Sequence, residues 1–476
     1  MNIATLLHMQ PEVMLACFII ILLFADLTIR QPNHRILQLI TIGLLLVHLA
    51  TNLTLSEETL FGGMYHSSPM SSAVKSILTI GTLLVVLQAG PWIRLSDNNH
   101  KAGEFYILVF TTLLGMFFMT SAGHFLMFYV GLEMASIPMA CLIAFDKYRA
   151  GSAEAGMKFI LSAMFSSALM LFGISLLYGT VGTLYFSDMP EHIVGSPLQM
   201  GALVFFFAGL GFKLSLVPFH AWTPDTYQGA PTTVGGYLSV VSKGAAAFAL
   251  VNILLRVFGP MAENWELLLS VVIVLTITVG NLMALHQQNM KRFMAYSSIS
   301  QAGYILLAIL AGATGTAALT YYILAYMAAN LAVFCVINEI EQHTGGRVDR
   351  DDYRALYTTN PRLTLVLTLA LFSLAGIPPF AGFFSKFFVF AAAAREGHWI
   401  VTFLALINTV ISLYYYLLVV RAMYIDPSDN PAPTFRTGRL GQLTLVVCLI
   451  AIVALGLVSP IYETLCQAAM LTFGAN

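Results

Sequence analysis

The sequence predicts an all-α polytopic membrane protein of about fourteen transmembrane helices, built around two inverted five-helix repeats that each contain a broken helix. Three observations lead there. The 476 residues are 58% hydrophobic and only 9% charged, where a soluble domain carries about 25% charged residues. Apolar stretches of about 20 residues, long enough to cross a hydrocarbon core, recur from end to end. Two of these stretches, five apart in order, are interrupted by proline and glycine.

Taken in order, the spans read as 13–29, 36–53, 76–93, 104–122, 124–145, 156–178, 199–219, 231–257, 265–285, 294–312, 316–338, 363–394, 399–423 and 441–459. The first has no basic leader and no small-residue cleavage site before Arg30, which marks it as retained. Little more than Gly123 separates the fourth and fifth. An even count puts both termini on one side, and the basic loop residues choose which. With the N-terminus outside, fifteen of the 22 lysines and arginines fall in cytoplasmic loops, and only Lys75, Arg256 and Arg395 in external ones. A net charge of -1 and the lack of any Lys/Arg-rich run exclude nucleic-acid and peripheral-membrane partners. The five cysteines are scattered, without ligand spacing, and read as apolar packing residues.

The seventh span contains GFKLSLVPFHAWTPDTYQGAP, with Pro218, Pro224 and Pro231. The twelfth contains SLAGIPPFAGFFSKFF, with Gly376, Pro378, Pro379 and Gly382. Proline removes a backbone donor and clashes with the preceding turn, so both helices should be interrupted. Paired interruptions at matching places point to an internal repeat with a transport pathway at its centre. The units are then residues 1–103 (spans one to three), 104–257 (the first repeat), 265–423 (the inverted second repeat) and 440–476 (the last span). Five crossings per repeat force the second copy to start from the opposite side.

Charged residues at bilayer depth cost about 2.5 to 3.5 kcal/mol each and usually mark a pathway. Here they are Glu133, Lys158, Lys213, Lys243 and Lys386. Glu133 lies mid-span among the small residues Gly131, Ala135 and Ser136, with Lys213 as its preferred partner and Lys158 as a competitor that can also snorkel to the surface. Lys243 is midway along an uninterrupted span with no carboxylate on its own helix; Lys386 follows the second break. Lysines without a fixed counter-charge can release and retake protons as their surroundings change, whereas a purely structural ion-pair network is the plainer reading. His220 and Asp225 adjoin the first break, where they can feed protons or cap freed backbone. Asp26 and Arg30 read as an i,i+4 pair, His48 and His124 as interfacial or core histidines, and Tyr296, Ser297, Ser298 and Ser300 as lining water or packing. No nucleotide, haem or iron–sulfur motif is visible.

The segments GFKLSLVPFHAWTPDTYQGAP, SKGAAAFAL, NLMALHQQNMKRFMAYSSISQAGY, SLAGIPPFAGFFSKFFVF and SLYYYLLVVRAMY, in this order, resemble the antiporter-like subunits of respiratory complex I. The resemblance runs from the fourth span to the thirteenth. It implies a proton path through a glutamate on helix five and lysines on helices seven, eight and twelve, matching Glu133, Lys213, Lys243 and Lys386. Within the family the pattern is closest to the N branch. Span eleven, TYYILAYMAANLAVFCVI, lacks the His-Ala-x-Phe-Lys run of the L and M branches and of Mrp antiporters, and Lys386 stands where the M branch has glutamate. Gln301 departs from relatives that carry histidine, which puts a histidine relay there in doubt. The resemblance implies proton translocation in a NADH:quinone oxidoreductase of a bacterial inner membrane. FMN, iron–sulfur clusters, NADH and quinone are then handled by other subunits, and no cofactor is held by this chain. The implied partners are other membrane subunits, a peripheral redox arm and the bilayer. The alternatives are an Mrp-type sodium/proton antiporter subunit and a structural linker.

Overall fold

The computed structural model describes residues 8–29, 34–52, 57–95, 99–458 and 460–474. Every apolar stretch folds as a helix, or as two half-helices where proline interrupts it. In chain order these are α1 (Gln10–Thr28), α2 (His34–Thr51), α3 (Pro69–Leu95), α4 (Ala102–Thr120), α5 (Phe125–Ile143), α6 (Ala150–Val181), α7 (Pro197–Leu214), α8 (Trp222–Gly229) and α9 (Thr232–Arg256). They continue as α10 (Ala262–Leu285), α11 (Met290–Ile309), α12 (Gly312–His343), α13 (Pro361–Ala375), α14 (Ala381–Arg395), α15 (Trp399–Tyr424), α16 (Arg439–Leu457) and α17 (Pro460–Phe473). Eleven of the described helices are long and apolar enough to cross a membrane. Helices α2, α11 and the α13/α14 pair cover the other three predicted stretches.

Local signals set the helix ends. Ser196 and Gln199 form a capping box at the start of α7, and the Asn289 side chain accepts from the Lys291 and Arg292 amides at the start of α11. Burial then sorts the helices. In α9 and α12, 94% of the most apolar stretch is buried, against 22% in α1 and 33% in α15. Peripheral helices turn large apolar side chains outward, such as Phe24, Phe165 and Ile400, a surface that suits lipid and not water. The protein is therefore an integral membrane protein. Helices α4 and α5 cross closely because Gly115 and Gly131 face each other's backbones; a Cβ on either would come within 2.4 to 2.6 Å of main-chain nitrogen.

Two elements are absent from the sequence reading. A short antiparallel hairpin pairs Glu58–Leu60 with Tyr65–Ser67 and braces the α4/α5 turn, His66 donating to the Ser121 carbonyl and Gly123 to that of Met64, each at 2.8 Å. Helix α17 follows the last span.

Two basic residues assigned to loops are in fact buried. Lys75 lies inside α3 and is fully enclosed, its ammonium 2.6 Å from Glu12 of α1 and 3.2 Å from the Tyr65 hydroxyl, which itself donates to Glu12. The polar flank SSPMSSAVKS had made the start of α3 look like loop. Lys291 is likewise buried, 3.0 Å from Glu341 and bonded to the Ala230 carbonyl. His48 is a core histidine bonded to the Pro11 carbonyl, and His124 caps α5 by accepting from the Leu126 amide. The Asp26 and Arg30 pair lies outside the described residues at Arg30.

Breaking a fully buried pair leaves one uncompensated charge. Lys75→Ala should therefore destabilise the protein by about 3 to 5 kcal/mol, and the double replacement Glu12→Leu with Lys75→Met by distinctly less. Thermal unfolding in detergent measures both; equal losses would mean the pair carries no coupling.

Candidate functional site

The two helix breaks share one backbone solution. Helix α7 ends when Ser215 turns left-handed (φ 62°), and α13 ends at Gly376 (φ 89°). In each, the next residue bonds back five positions: Leu216 to the Gly211 carbonyl at 2.8 Å, Ile377 to that of Phe372 at 3.0 Å. This is the hydrogen-bond pattern of a left-handed helix cap. Ser215 and Gly376 lie 161 residues apart, as do the cis prolines Pro218 and Pro379. That offset matches Lys386 with Asp225, and Lys213 with Leu374, so the two lysines occupy different places in otherwise equivalent breaks.

Backbone groups freed by the breaks are claimed by named side chains. In the first, the Trp222 indole donates to the Phe212 carbonyl at 3.1 Å, and Thr276 of α10 accepts from the Val217 amide at 3.1 Å. In the second, Lys386 itself reaches back from α14 and donates to the carbonyls of Leu374 (2.9 Å) and Ala375 (3.1 Å). Gly382 lets α14 come this close, since a Cβ there would stand 1.7 Å from the Ser373 carbonyl.

All three central lysines are buried, with 2 to 4% of their surface exposed. Lys213 donates to the Ser136 hydroxyl of α5 at 2.7 Å. Lys243 donates to the Ser298 hydroxyl of α11 at 2.8 Å and lies 5.7 Å from the Tyr227 ring centre. Lys386 lies 5.1 Å from the Tyr304 ring centre. Among the described residues none has a carboxylate within 4 Å, so each ammonium is solvated by neutral oxygens and aromatic faces. A small cavity of about 10 Å³, the size that holds one water, opens beside Lys386 and is lined by Gln301, Tyr322, Tyr326 and Ser385. Gln301 lies one turn beyond Ser298 on α11 and is bonded to Tyr322 and Tyr416. Helix α11 thus carries the partner of Lys243 and a wall of the Lys386 cavity.

Several sequence expectations change in detail. Glu133 does not pair directly with Lys213; Ser136, three residues on along α5, takes the ammonium, and the Glu133 Oε1 atom is buried without a partner among the described residues. Lys158 is no competitor for Glu133. It bonds Asp225 and Glu154, each at 2.7 Å, on an exposed face. Asp225 is also held by Arg292 at 2.5 Å, and a carboxylate between two cations stays ionised, which disfavours the proton-feeding role. His220 lies against the Pro218 backbone of the break beside Trp222 and Thr276, with its Nδ1 buried and unpartnered among the described residues. Lys243 opens a regular α-helical stretch directly after a π-helical turn at Leu238–Ser242, the kind of irregularity that often marks function. Ser298 is a direct ligand of a lysine, and Ser297 bonds Tyr416. Sequence reasoning missed Ser136 and Tyr227 as partners, since their roles exist only across helices.

The fold and its buried lysines define a class, and comparison identifies it. The family model described as "NADH:quinone oxidoreductase/Mrp antiporter, TM" matches residues 122–412, more than half of the chain. A protein of Phocaeicola vulgatus, NADH-quinone oxidoreductase subunit N, is 60% identical over 99% of this chain and all of its own length. A chain of the respiratory complex I of Thermus thermophilus, solved with bound aureothin, superposes with a TM-score of 0.81 at 33% identity, covering 94% of this chain and 97% of that one. An Mrp complex chain from Dietzia superposes with a TM-score of 0.86 at 20% identity, covering 100% and 98%, a likeness of fold alone. The chain belongs to the antiporter-like membrane subunits of NADH:quinone oxidoreductase, in the subunit N branch.

Each serine hydroxyl is the nearest ligand of a buried ammonium, and losing such a bond costs about 1.5 to 3 kcal/mol. Ser136→Ala and Ser298→Ala should each leave the complex assembled but slow proton pumping several-fold in reconstituted vesicles, while Ser→Thr retains activity. Wild-type rates in the alanine variants would show that the hydroxyls only fill space.

Proposed function

We propose that this chain translocates protons across a bacterial inner membrane as part of a NADH:quinone oxidoreductase whose other subunits carry the electrons. The observation that supports it best is the set of three buried lysines solvated only by neutral groups. A purely structural ion-pair network would give them carboxylate partners, because a buried charge without one is costly. A relay needs the opposite, a site where the proton is held loosely enough to leave.

In this reading protons enter from the side of the basic loops near the first break, pass along Lys213, Lys243 and Lys386, and leave on the other side. Glu133 acts through its field on Lys213 across Ser136, and a change in its surroundings alters how firmly Lys213 holds a proton. Conformational or charge changes in adjacent membrane subunits supply that bias. Electron transfer from NADH to quinone, with FMN and iron–sulfur clusters, takes place in the peripheral arm and is coupled to this chain mechanically or electrostatically. Both termini face the outer side, and residues 104–257 and 265–423 form the two inverted units, with 1–103 and 440–476 flanking them. The sodium/proton antiporter reading shares the fold but rests on a likeness at 20% identity.

Replacing Lys243 with Ala in the assembled complex should lower quinone-dependent proton pumping by about tenfold or more, equivalent to at least 1.4 kcal/mol on the limiting step. Undiminished pumping rules out the relay. Sodium uptake driven by a pH gradient, without redox turnover, would favour the antiporter instead.

A further inference from the structure

Outside the lysine file, Glu339 is a buried acidic side chain that forms no short ion pair with a lysine or arginine among the described residues. Glu339 lies four residues before the end of α12, 1% exposed, and its Oε2 has no hydrogen-bond partner among the described residues. Arg94 of α3 acts on it through space, and Nδ1 of His343 lies 3.9 Å away, on a part-exposed ring that already bonds the Glu339 carbonyl. The carboxylate rests against the bare backbone of α16, where a Cβ on Gly441 would fall 2.7 Å from Oε1. Next to it, the Asn338 amide nitrogen bonds the Gln88 carbonyl of α3 at 3.2 Å, yet Asn338 Oδ1 and both side-chain atoms of Gln88 are also buried and unpartnered. Each such atom costs about 1 to 3 kcal/mol if left dry. Four from three adjoining residues call for bridging water, which is what normally satisfies such groups.

This polar cluster continues inward along α12. Asn338, Phe334, Asn330, Tyr326 and Tyr322 recur every four residues, so each neighbours the next in a stripe that winds slowly round the helix. The stripe leaves the α3/α16 side at Asn338 and arrives at the Lys386 cavity, which Tyr326 and Tyr322 line. Asn330 Oδ1 is again buried and unpartnered among the described residues, while its Nδ2 bonds the Ser239 hydroxyl and the Tyr326 hydroxyl lies beside Ser298. One stretch of the stripe is apolar. Between Asn338 and Asn330, about 12 Å along the axis at 1.5 Å per residue, the stripe presents Phe334, whose ring packs against Gly235 and Gly236.

We propose that Glu339 is the proton-loading group of a second uptake route, opening on the basic-loop side and leading along α12 to Lys386 without passing Lys213. The inference rests on the relay reading above and deepens it. A proton from bulk water converts the Glu339 carboxylate to the acid, displacement of Phe334 lets water bridge Asn338 and Asn330, and the proton passes by Tyr326 to the neutral amine of Lys386. One proton is taken up, one is delivered, and no other bond changes.

The test compares Glu339→Gln, Glu339→Asp, Asn330→Leu and Lys386→Ala in the assembled complex, reading protons pumped per quinone reduced. Glu339→Gln and Asn330→Leu should each show a several-fold loss, Glu339→Asp should recover most of it, and the carboxyl band that changes on turnover in difference infrared spectra should vanish in Glu339→Gln. Normal pumping and an unchanged band in Glu339→Gln overturn the second route. If Lys386→Ala still abolishes pumping in that case, the central relay stands and only this inference falls; normal pumping in Lys386→Ala removes both. Should Glu339→Gln fail to assemble, a water-resolving map of the wild-type complex decides: water against Gln88, Asn338 and Glu339 supports the route, and its absence overturns it.

Discussion

Inside hydrocarbon there is no solvent to repair an interrupted helix, so every backbone carbonyl and amide freed by a break must find a partner within the protein. The two breaks of this chain meet that demand differently, and much of its chemistry follows from the difference. The first is closed by neutral groups, the Trp222 indole and the Thr276 hydroxyl. The second is closed by the ammonium of Lys386, which spans from α14 to the end of α13. A lysine that caps a helix end donates more strongly when charged, because charge-assisted hydrogen bonds are roughly twice as strong as neutral ones. Its protonation state and the fit between α13 and α14 are therefore two sides of one equilibrium.

The half-helices after the breaks are anchored just as unequally. Helix α8 packs between α6 and α11, and its Asp225 is held from both sides, by Lys158 of α6 and Arg292 of α11. Lys291, beside Arg292, takes the Ala230 carbonyl at the end of the same segment. The start of α11 thus clamps the α8/α9 corner, while among the described residues α14 takes part in no ion pair. Where Asp225 fixes the first half-helix to its surroundings, the matching position in the second is Lys386, turned inward. The same position holds an anchoring carboxylate in the first break and a buried lysine in the second.

Much of this was legible in the sequence. Glu133, Lys213, Lys243 and Lys386 stood out because burial of charge is expensive, and the breaks stood out because proline cannot continue a helix. Lys75, Lys291 and Glu339 did not, since each lies near a helix end where polar neighbours blur the boundary between span and loop. The hairpin at residues 58–67 has three-residue strands, too short for alternation to register. Ligand identity was hidden for a different reason: Ser136 and Ser298 are ordinary small residues on their own helices, and only the packing of α5 on α7 and of α11 on α9 turns their hydroxyls toward ammonium groups.

The interposed serine also explains why Glu133 need not touch Lys213. A direct buried ion pair binds its two charges so tightly that separating them costs several kcal/mol, and a proton on such a lysine is hard to move. Displaced by about a turn of α5, Glu133 still acts on Lys213 through a medium of low dielectric, but Ser136 holds the ammonium with a neutral bond of 2.7 Å. The carboxylate, with Oε1 unclaimed, remains free to respond to charge elsewhere. Its influence on the lysine can then be raised or lowered by small displacements, without first breaking a contact, and that is the property a switch between proton uptake and release requires.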